Sequence, residues 1–309
     1  MLRGAMRMIN RREFVRDAAA AAGAIALTGA VSASGSPPKR LPQARIGKTG
    51  LRAGLIGIGT GTVGGGKQSN QTKLGQDRFT AMVRHAIERG ITFLDCADQY
   101  GSNPFIGKAI QGIPRKSVVI QTKTNSRTPE GVRSDIERFL NELQTDYIDI
   151  VLLHCMMQPD WNVQLRPAMD VMEELKRKRV IRAHGVSCHN FGALETAAAE
   201  KWVDVDLARF NPWGLLMDVP RFEDAKQSPP RVREVLKRMK DAGKGVVGMK
   251  VLAEGRMARG PDKLERAHES IKFSLDSGVI DLMVVGFESE QQVDEIVDVT
   301  LKVLETAHT

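Results

Sequence analysis

The sequence predicts an α/β fold, a (β/α)8 barrel of the TIM type with a β-hairpin before its first strand. Three observations predict it. Eight strand-like apolar runs alternate with helical runs from residue 54 to the end of the 309-residue chain. The runs are nearly continuous in apolar residues, as strands buried on both faces of a parallel sheet are. Eight strand–helix units within about 250 residues fit a closed barrel rather than an open sheet.

The elements follow in order. The segment Arg45-Ile46-Gly47-Lys48-Thr49-Gly50-Leu51 has hairpin character. Strands are expected at Gly54–Gly61, at Thr92–Asp98, where FLDCAD runs from apolar residues into acid, and at Ser117–Thr124, which ends in QTKT. The fourth, Tyr147–His154, ends in IVLLH, and the others are expected at Ile181–Cys188, Val203–Asn211, Gly245–Leu252 and Ile280–Phe287. After the third strand, Val132, Ile136, Leu140 and Leu143 form one apolar stripe, with Thr128-Pro129 as N-cap and first-turn proline. After the last, Ser289 and Gln292 have capping-box spacing, and Val293, Ile296, Val297, Thr300, Leu301 and Leu304 form the buried face.

Residues 1–33 stand apart. A basic start leads into Asn10-Arg11-Arg12-Glu13-Phe14-Val15-Arg16, then a weakly apolar Ala/Gly-rich run from Ala18 to Ala30, then Val31-Ser32-Ala33, a small-residue cleavage site. This is the layout of a twin-arginine export signal, and it predicts a periplasmic or otherwise exported protein. The run is too short and too rich in alanine for a membrane span, so the membrane is expected only transiently, during export. Residues 34–44, with SGSPPKR at their start, read as a linker, and 45–309 as the barrel.

The formal net charge is +8, but the export segment alone carries five arginines against Glu13 and Asp17, so the remaining excess is mild and spread along the chain. The densest cluster, Lys176-Arg177-Lys178-Arg179, falls at a predicted helix C-terminus, where cations suit the dipole. No aromatic residues interleave with it, which argues against a nucleic-acid partner. Cys96, Cys155 and Cys188 form no CxxC pair, which argues against a disulfide framework or an iron–sulfur site.

The first strand opens into a glycine-rich loop. Gly59, Gly61 and Gly64 match GxGxxG, but GGKQSNQTKLGQ follows where a dinucleotide-binding fingerprint needs a helix at once. Gly61, Gly66 and Lys67 approach a P-loop, yet Gln68 stands where Ser or Thr would bind Mg²⁺. The better reading is a flexible loop at the barrel mouth, bordering a bound substrate or cofactor.

Asp95, Tyr100, Lys123 and His154 lie at or just past the ends of successive strands, and strand ends of a barrel converge on one face. An acid, a phenol, an amine and an imidazole make a proton-transfer site without a nucleophile. A phenol with an ordinary pKa of about 10 is a poor proton shuttle near neutrality. A nearby ammonium favours its phenolate, and a carboxylate would hold that ammonium in place. Taken singly, Asp95 reads equally well as a loop cap, Lys123 as a solvated strand end and His154 as an interior histidine. Tyr100 is the sharpest candidate, because the only other tyrosine, Tyr147, begins its strand and so lies at the opposite end of the barrel.

This set, in this order, resembles the catalytic tetrad of the aldo-keto reductases, which reduce carbonyls with NADPH on a (β/α)8 barrel. The resemblance runs from Arg45 to the end through GKTGL, GITFLDCADQYG, QTK, DYIDIVLLH, IRAHGVS and FNP. It implies that Tyr100 is the acid/base, Lys123 its modulator, Asp95 the lysine's partner and His154 the group orienting the substrate oxygen. It implies that the hairpin plugs the bottom of the barrel. Cys96 stands where the family usually has Thr. For the nicotinamide amide it implies Ser187 together with His189 or Asn190, with Phe210 as the stacking aromatic. Leu207 replaces the expected Gln. For the phosphates it implies Gly286 and the helix N-terminus at Ser289. The usual basic residue for the 2′-phosphate is missing and Ile296 stands where Asn is frequent, with Lys250, Arg256 or Arg259 as substitutes. NADP(H) is therefore favoured and NAD(H) stays open. An exported reductase would have to fold around its cofactor before transport and hold it.

Two rivals remain. His154-Cys155 and Cys188-His189 are zinc-ligand types, but adjacent strand residues point to opposite faces, which would leave one inward ligand per pair. The other rival is a nicotinamide-binding redox sensor or partner subunit without turnover. A small-molecule carbonyl compound is the expected partner; Trp161 and Trp213 are candidate pocket walls, or packed loop anchors. The sequence leaves the oligomeric state open.

Overall fold

A computed structural model describes residues 39–217 and 228–306. The expected export signal, 1–33, and residues 34–38 of the linker lie outside the described residues. Strands β1 (Gln43–Arg45) and β2 (Arg52–Gly54) form the antiparallel hairpin, which starts two residues before the boundary expected at Arg45.

Eight strand–helix units follow. They are β3 (Ile56–Gly59) with α1 (Gln76–Glu88), β4 (Phe93–Asp95) with α2 (Asn103–Ala109), β5 (Val119–Thr124) with α3 (Pro129–Leu143), and β6 (Ile148–Met156) with α4 (Trp161–Gln164) and α5 (Arg166–Arg177). Then come β7 (Ile181–Cys188) with α6 (Phe191–Ala199), β8 (Val205–Arg209) with α7 (Pro229–Asp241), β9 (Gly245–Met249) with α8 (Lys263–Ser277), and β10 (Leu282–Gly286) with α9 (Glu290–Thr306). The eight barrel strands, β3 to β10, pair in parallel, and β10 pairs with β3 to close the barrel. The Thr128 side chain caps α3 by accepting from the Gly131 amide, with Pro129 at the first position.

Strand alternation divides the apolar residues into two clusters. Phe93, Val119, Ile150, Leu152, Ala183, Val205, Leu207, Val247, Met249, Leu282 and Val284 pack together in the lumen. Leu94, Ile120, Val151, Leu153, Val186 and Ala208 face the helices. Ile46, Leu51 and Ala53 of the hairpin join the lumen cluster and so plug the bottom. The plug is pinned by Gly47 N donating to Asp281 Oδ2 at 3.1 Å and Lys48 N donating to Gly243 O at 2.9 Å. Gly47 has φ +48, and a Cβ there would meet Gly245 N at 2.3 Å, so glycine is required.

Because inward residues recur with period two, the next inward positions above the lumen core are fixed. Phe93 leads to Asp95, Val119 to Gln121 and Lys123, Leu152 to His154, Ala183 to Gly185 and Ser187, and Leu207 to Arg209. The packing that stabilises the barrel therefore also aims its chemistry at one mouth.

Candidate active site

At that mouth Lys123, fully buried, donates to Asp95 Oδ1 at 2.6 Å and to the Cys96 carbonyl at 2.7 Å. Gln121, one inward step below, donates to the same Asp95 oxygen at 2.7 Å. Asp95 thus holds the ammonium by a buried, charge-assisted pair. Lys123 Nζ lies 5.0 Å from the centre of the Tyr100 ring. An ammonium placed there favours negative charge on the phenol.

Tyr100 lies past the β4 strand end, in a short 3₁₀ turn at Asp98–Tyr100 closed by Gly101 at φ +64. Its hydroxyl is 3.4 Å from His154 Nε2. His154 is buried, and burial, then Lys123 and Arg127, push its pKa well below the ordinary value. The lowered pKa favours the neutral imidazole over the imidazolium at this position. Its Nδ1 is buried with no hydrogen-bond partner among the described residues. The four expected tetrad residues are therefore gathered at one mouth. Tyr147 lies just before β6, with the Arg115 guanidinium over its ring, at the other end.

The glycine-rich loop is tied down rather than loose. Lys67 pairs with Asp98, and Lys67 N donates to Gln99 O at 2.9 Å. On the far side Gln71 donates to Phe287 O at 3.2 Å and Asn70 to Glu288 at 2.8 Å. Gly61 and Gly64 lie against the Tyr100 ring, where added Cβ atoms would come within 2.3 and 2.5 Å of its carbons. The sequence pattern drew attention to phosphate cradles; the glycines here make room for the tyrosine.

The expected cofactor residues are placed unevenly. Ser187 is buried and inward, its Oγ accepting from Cys155 N at 3.0 Å, which leaves its proton to donate. Asn190 instead caps α6, accepting from Gly192 N at 2.9 Å. His189 is the member of that pair that meets the centre, with its ring 6.2 Å from that of His154. Phe210 corrects its expected role as the stacking aromatic. Arg209 takes the inward position, so Phe210 faces outward, fully buried, and stacks on Phe273 of α8 at 4.8 Å. Lys250 pairs with Glu254 at 3.3 Å. Gly286 ends β10, where a Cβ would meet Thr62 Oγ1 at 2.1 Å, and Ser289 accepts from Gln292 N at 3.3 Å at the start of α9. Trp161 is an anchor, buried and donating to Ala193 O at 3.2 Å.

The alternation argument against a metal holds at one Cys-His pair and fails at the other. Cys188 points outward and donates to Asp206 Oδ2 at 3.1 Å. Cys155, however, has φ +59 beside a register shift in β6, so its thiol comes round to the mouth, 3.8 Å from His189 Nε2. Donor atoms of His154, Cys155 and His189 lie within 4.8 Å of one another. The charge environment opposes a cation there. Burial, Arg209, His154, Lys250 and Lys123 all depress His189, and Arg209, which only donates, binds its Nδ1. Nε2 therefore carries the proton of the neutral ring. Cys96, by contrast, is an inert core thiol, its pKa raised to about 12 by burial and by Asp95.

The functional residues missed by sequence reasoning are Gln121, Arg127 and Arg209. Gln121 and Arg209 were visible in period-two counting from Val119 and Val205; Arg127, on a loop, had no pattern to announce it.

The profile described as the aldo/keto reductase family matches residues 55–296. The aldo-keto reductase YhdN of Bacillus subtilis is 34% identical over 170 residues, 50% of this chain and 49% of that protein. The NADH-specific methylglyoxal reductase of Escherichia coli is 27% identical over 48% of this chain and 52% of its own length. The chain thus spans about half the length of these two relatives. L-galactose dehydrogenase of Arabidopsis thaliana is 25% identical over 81% of this chain and 85% of that protein. In fold, an aldo-keto reductase from Klebsiella pneumoniae in complex with NADPH superposes with TM-score 0.64 at 21% identity, covering 85% of this chain and 89% of that one.

Proposed function

The chain belongs to the aldo/keto reductase family, and from that premise we propose that it reduces aldehyde or ketone carbonyls, sugars included, to alcohols, or runs the reverse oxidation, with NAD(P)(H) as partner. The observation that carries the reading is the buried Asp95–Lys123 pair beneath a tyrosine whose hydroxyl meets a neutral histidine.

When bound, the nicotinamide supplies the hydride that adds to the carbonyl carbon. Tyr100 gives the proton to the carbonyl oxygen, and Lys123, fixed by Asp95, stabilises the phenolate left behind. His154, as the Nε2–H tautomer, donates to the same oxygen and aims it. The cofactor fits the donors present only in part. Ser187 and His189 would hold the amide, and Lys250, Gly286 and the α9 N-terminus at Ser289 would hold the phosphates. Asn190 and Phe210 are engaged elsewhere. NADP(H) remains the favoured form in this reading on the strength of Lys250, with NAD(H) open.

The test is turnover of the purified protein with NADPH and with NADH against a broad aldehyde and ketone panel, followed by loss of reduced-nicotinamide absorbance. Stoichiometric nicotinamide binding with no turnover on any member would favour the sensor reading. We also propose export through the twin-arginine route, on the motif at Arg11-Arg12 and the small-residue exit at Ala33.

A further inference from the structure

We infer that the carbonyl substrate carries an oxyanion group, a carboxylate or phosphate, a few bonds from its carbonyl, and that Arg127 is the residue that selects it. The inference rests on the reductase reading above.

The two histidines at the mouth report its charge. Lys123 and Arg127 act on His154, and Arg209, Lys250 and Lys123 act on His189; each of these cations disfavours protonation of the ring it faces. Geometry agrees: Arg209 binds His189 Nδ1 at 2.5 Å, Lys123 Nζ lies 5.0 Å from the Tyr100 ring centre, and Arg127 holds the His154 carbonyl. Lys123 has a carboxylate partner in Asp95, and Lys250 has one in Glu254.

Arg127 is different. It is half-buried, and its guanidinium donates to the carbonyls of His154, of Ser126 at 3.3 Å and of Thr124 at 3.5 Å. No carboxylate among the described residues forms an ion pair with it. Carbonyl dipoles orient the group without cancelling its charge, and burial lowers its pKa. The cost of fixing a long side chain is thus met before any ligand arrives, as a preorganised binding group requires.

Topology separates Arg127 from the cofactor side. In the closed order β10-β3-β4-β5-β6-β7-β8-β9, the β5 end lies diametrically across from the β9 end. The groups expected to hold the nicotinamide and its phosphates follow β7, β9 and β10. Arg127 follows β5, and it touches the main chain of His154, whose ring meets Tyr100. A substrate held by its carbonyl at Tyr100 and His154 therefore brings a nearby anionic group under the guanidinium, where a two-pronged, charge-assisted contact forms.

Matched substrates test this. We compare succinic semialdehyde with butanal, and glyceraldehyde 3-phosphate with glyceraldehyde. The anionic member should win in kcat/KM by about 10- to 100-fold in at least one pair, the scale of a hydrogen bond to a charged group. In Arg127→Gln that ratio should collapse toward one, chiefly through KM, and Arg127→Lys should restore part of it. Which pair responds distinguishes carboxylate from phosphate. Equal kcat/KM within both pairs in the wild-type enzyme overturns the inference while leaving the reductase reading intact, as does a preference that survives Arg127→Gln. If no carbonyl is reduced, the reductase reading itself fails. The anion site is then read from the thermal midpoint in succinate and in inorganic phosphate: a rise in wild type that Arg127→Gln abolishes supports the site, and no rise removes it.

Discussion

Gly61 and Tyr100 are in van der Waals contact so close that the glycine's missing side chain defines where the phenol lies: a Cβ would stand 2.3 Å from Tyr100 Cε2 and 2.4 Å from Cζ. Gly61 is thus a positioning residue. Gly61→Ala should move the ring off His154 and lower kcat by about tenfold to a hundredfold, since misplacement by an ångström costs on that scale. KM and the thermal midpoint should change much less. A kcat within twofold of wild type would show that the ring tolerates displacement.

Asp206 makes the pH dependence of stability predictable. It is fully buried, receives the Cys188 thiol, and burial raises its pKa to about 7. The folded chain then binds a proton that the unfolded chain releases near its ordinary value of about 4. Stability from this group is present below the unfolded pKa and is lost as pH rises through the folded one. Asp206→Asn should raise the urea midpoint at about pH 8 and flatten its fall from about pH 5. Parallel declines in both proteins would remove Asp206 as the cause.

The paired arginines Arg11 and Arg12 carry the export proposal. Replacing both with lysine should leave the full-length precursor in the cytoplasm, as read by fractionation and mass of the chain. Finding the wild-type chain uncut and only in the cytosol would end that proposal.

An exported reductase cannot replace a lost cofactor, and the loop of Gly61 and Gly64 is anchored on both sides of the mouth by Lys67 and Gln71. Protein purified without added nucleotide and then denatured should release about one dinucleotide per chain, because such an anchored loop slows escape. Substoichiometric release with micromolar or weaker affinity would contradict retention.

Much of this was legible in the sequence, for identifiable reasons. Continuous apolar runs such as IVLLH at the end of β6 mark buried parallel strands, and the chemistry at their ends marks the mouth. The first two barrel strands were read too long, because Thr60 and Asp98 continue the polarity pattern after the ladder has stopped at Gly59 and Asp95, whereas β6 runs on past the expected His154 to Met156. Phe210 was misplaced because resemblance was followed where alternation from Val205 through Arg209 turns it outward. Asn190 went to a helix cap, a local bond that competes with any ligand. Alternation placed Cys155 on the face opposite His154 and failed, since its left-handed backbone follows from a register shift with β7 and not from its neighbours in sequence.

The central claim is that Tyr100 delivers the proton, with Lys123 and Asp95 behind it. Its most direct test is Tyr100→Phe, measured as single-turnover hydride transfer from bound NADPH to a carbonyl that the wild type reduces. The account predicts a retained fold and retained cofactor binding with a rate at least about a hundredfold lower, the scale of a lost general acid. A rate near that of the wild type would contradict it.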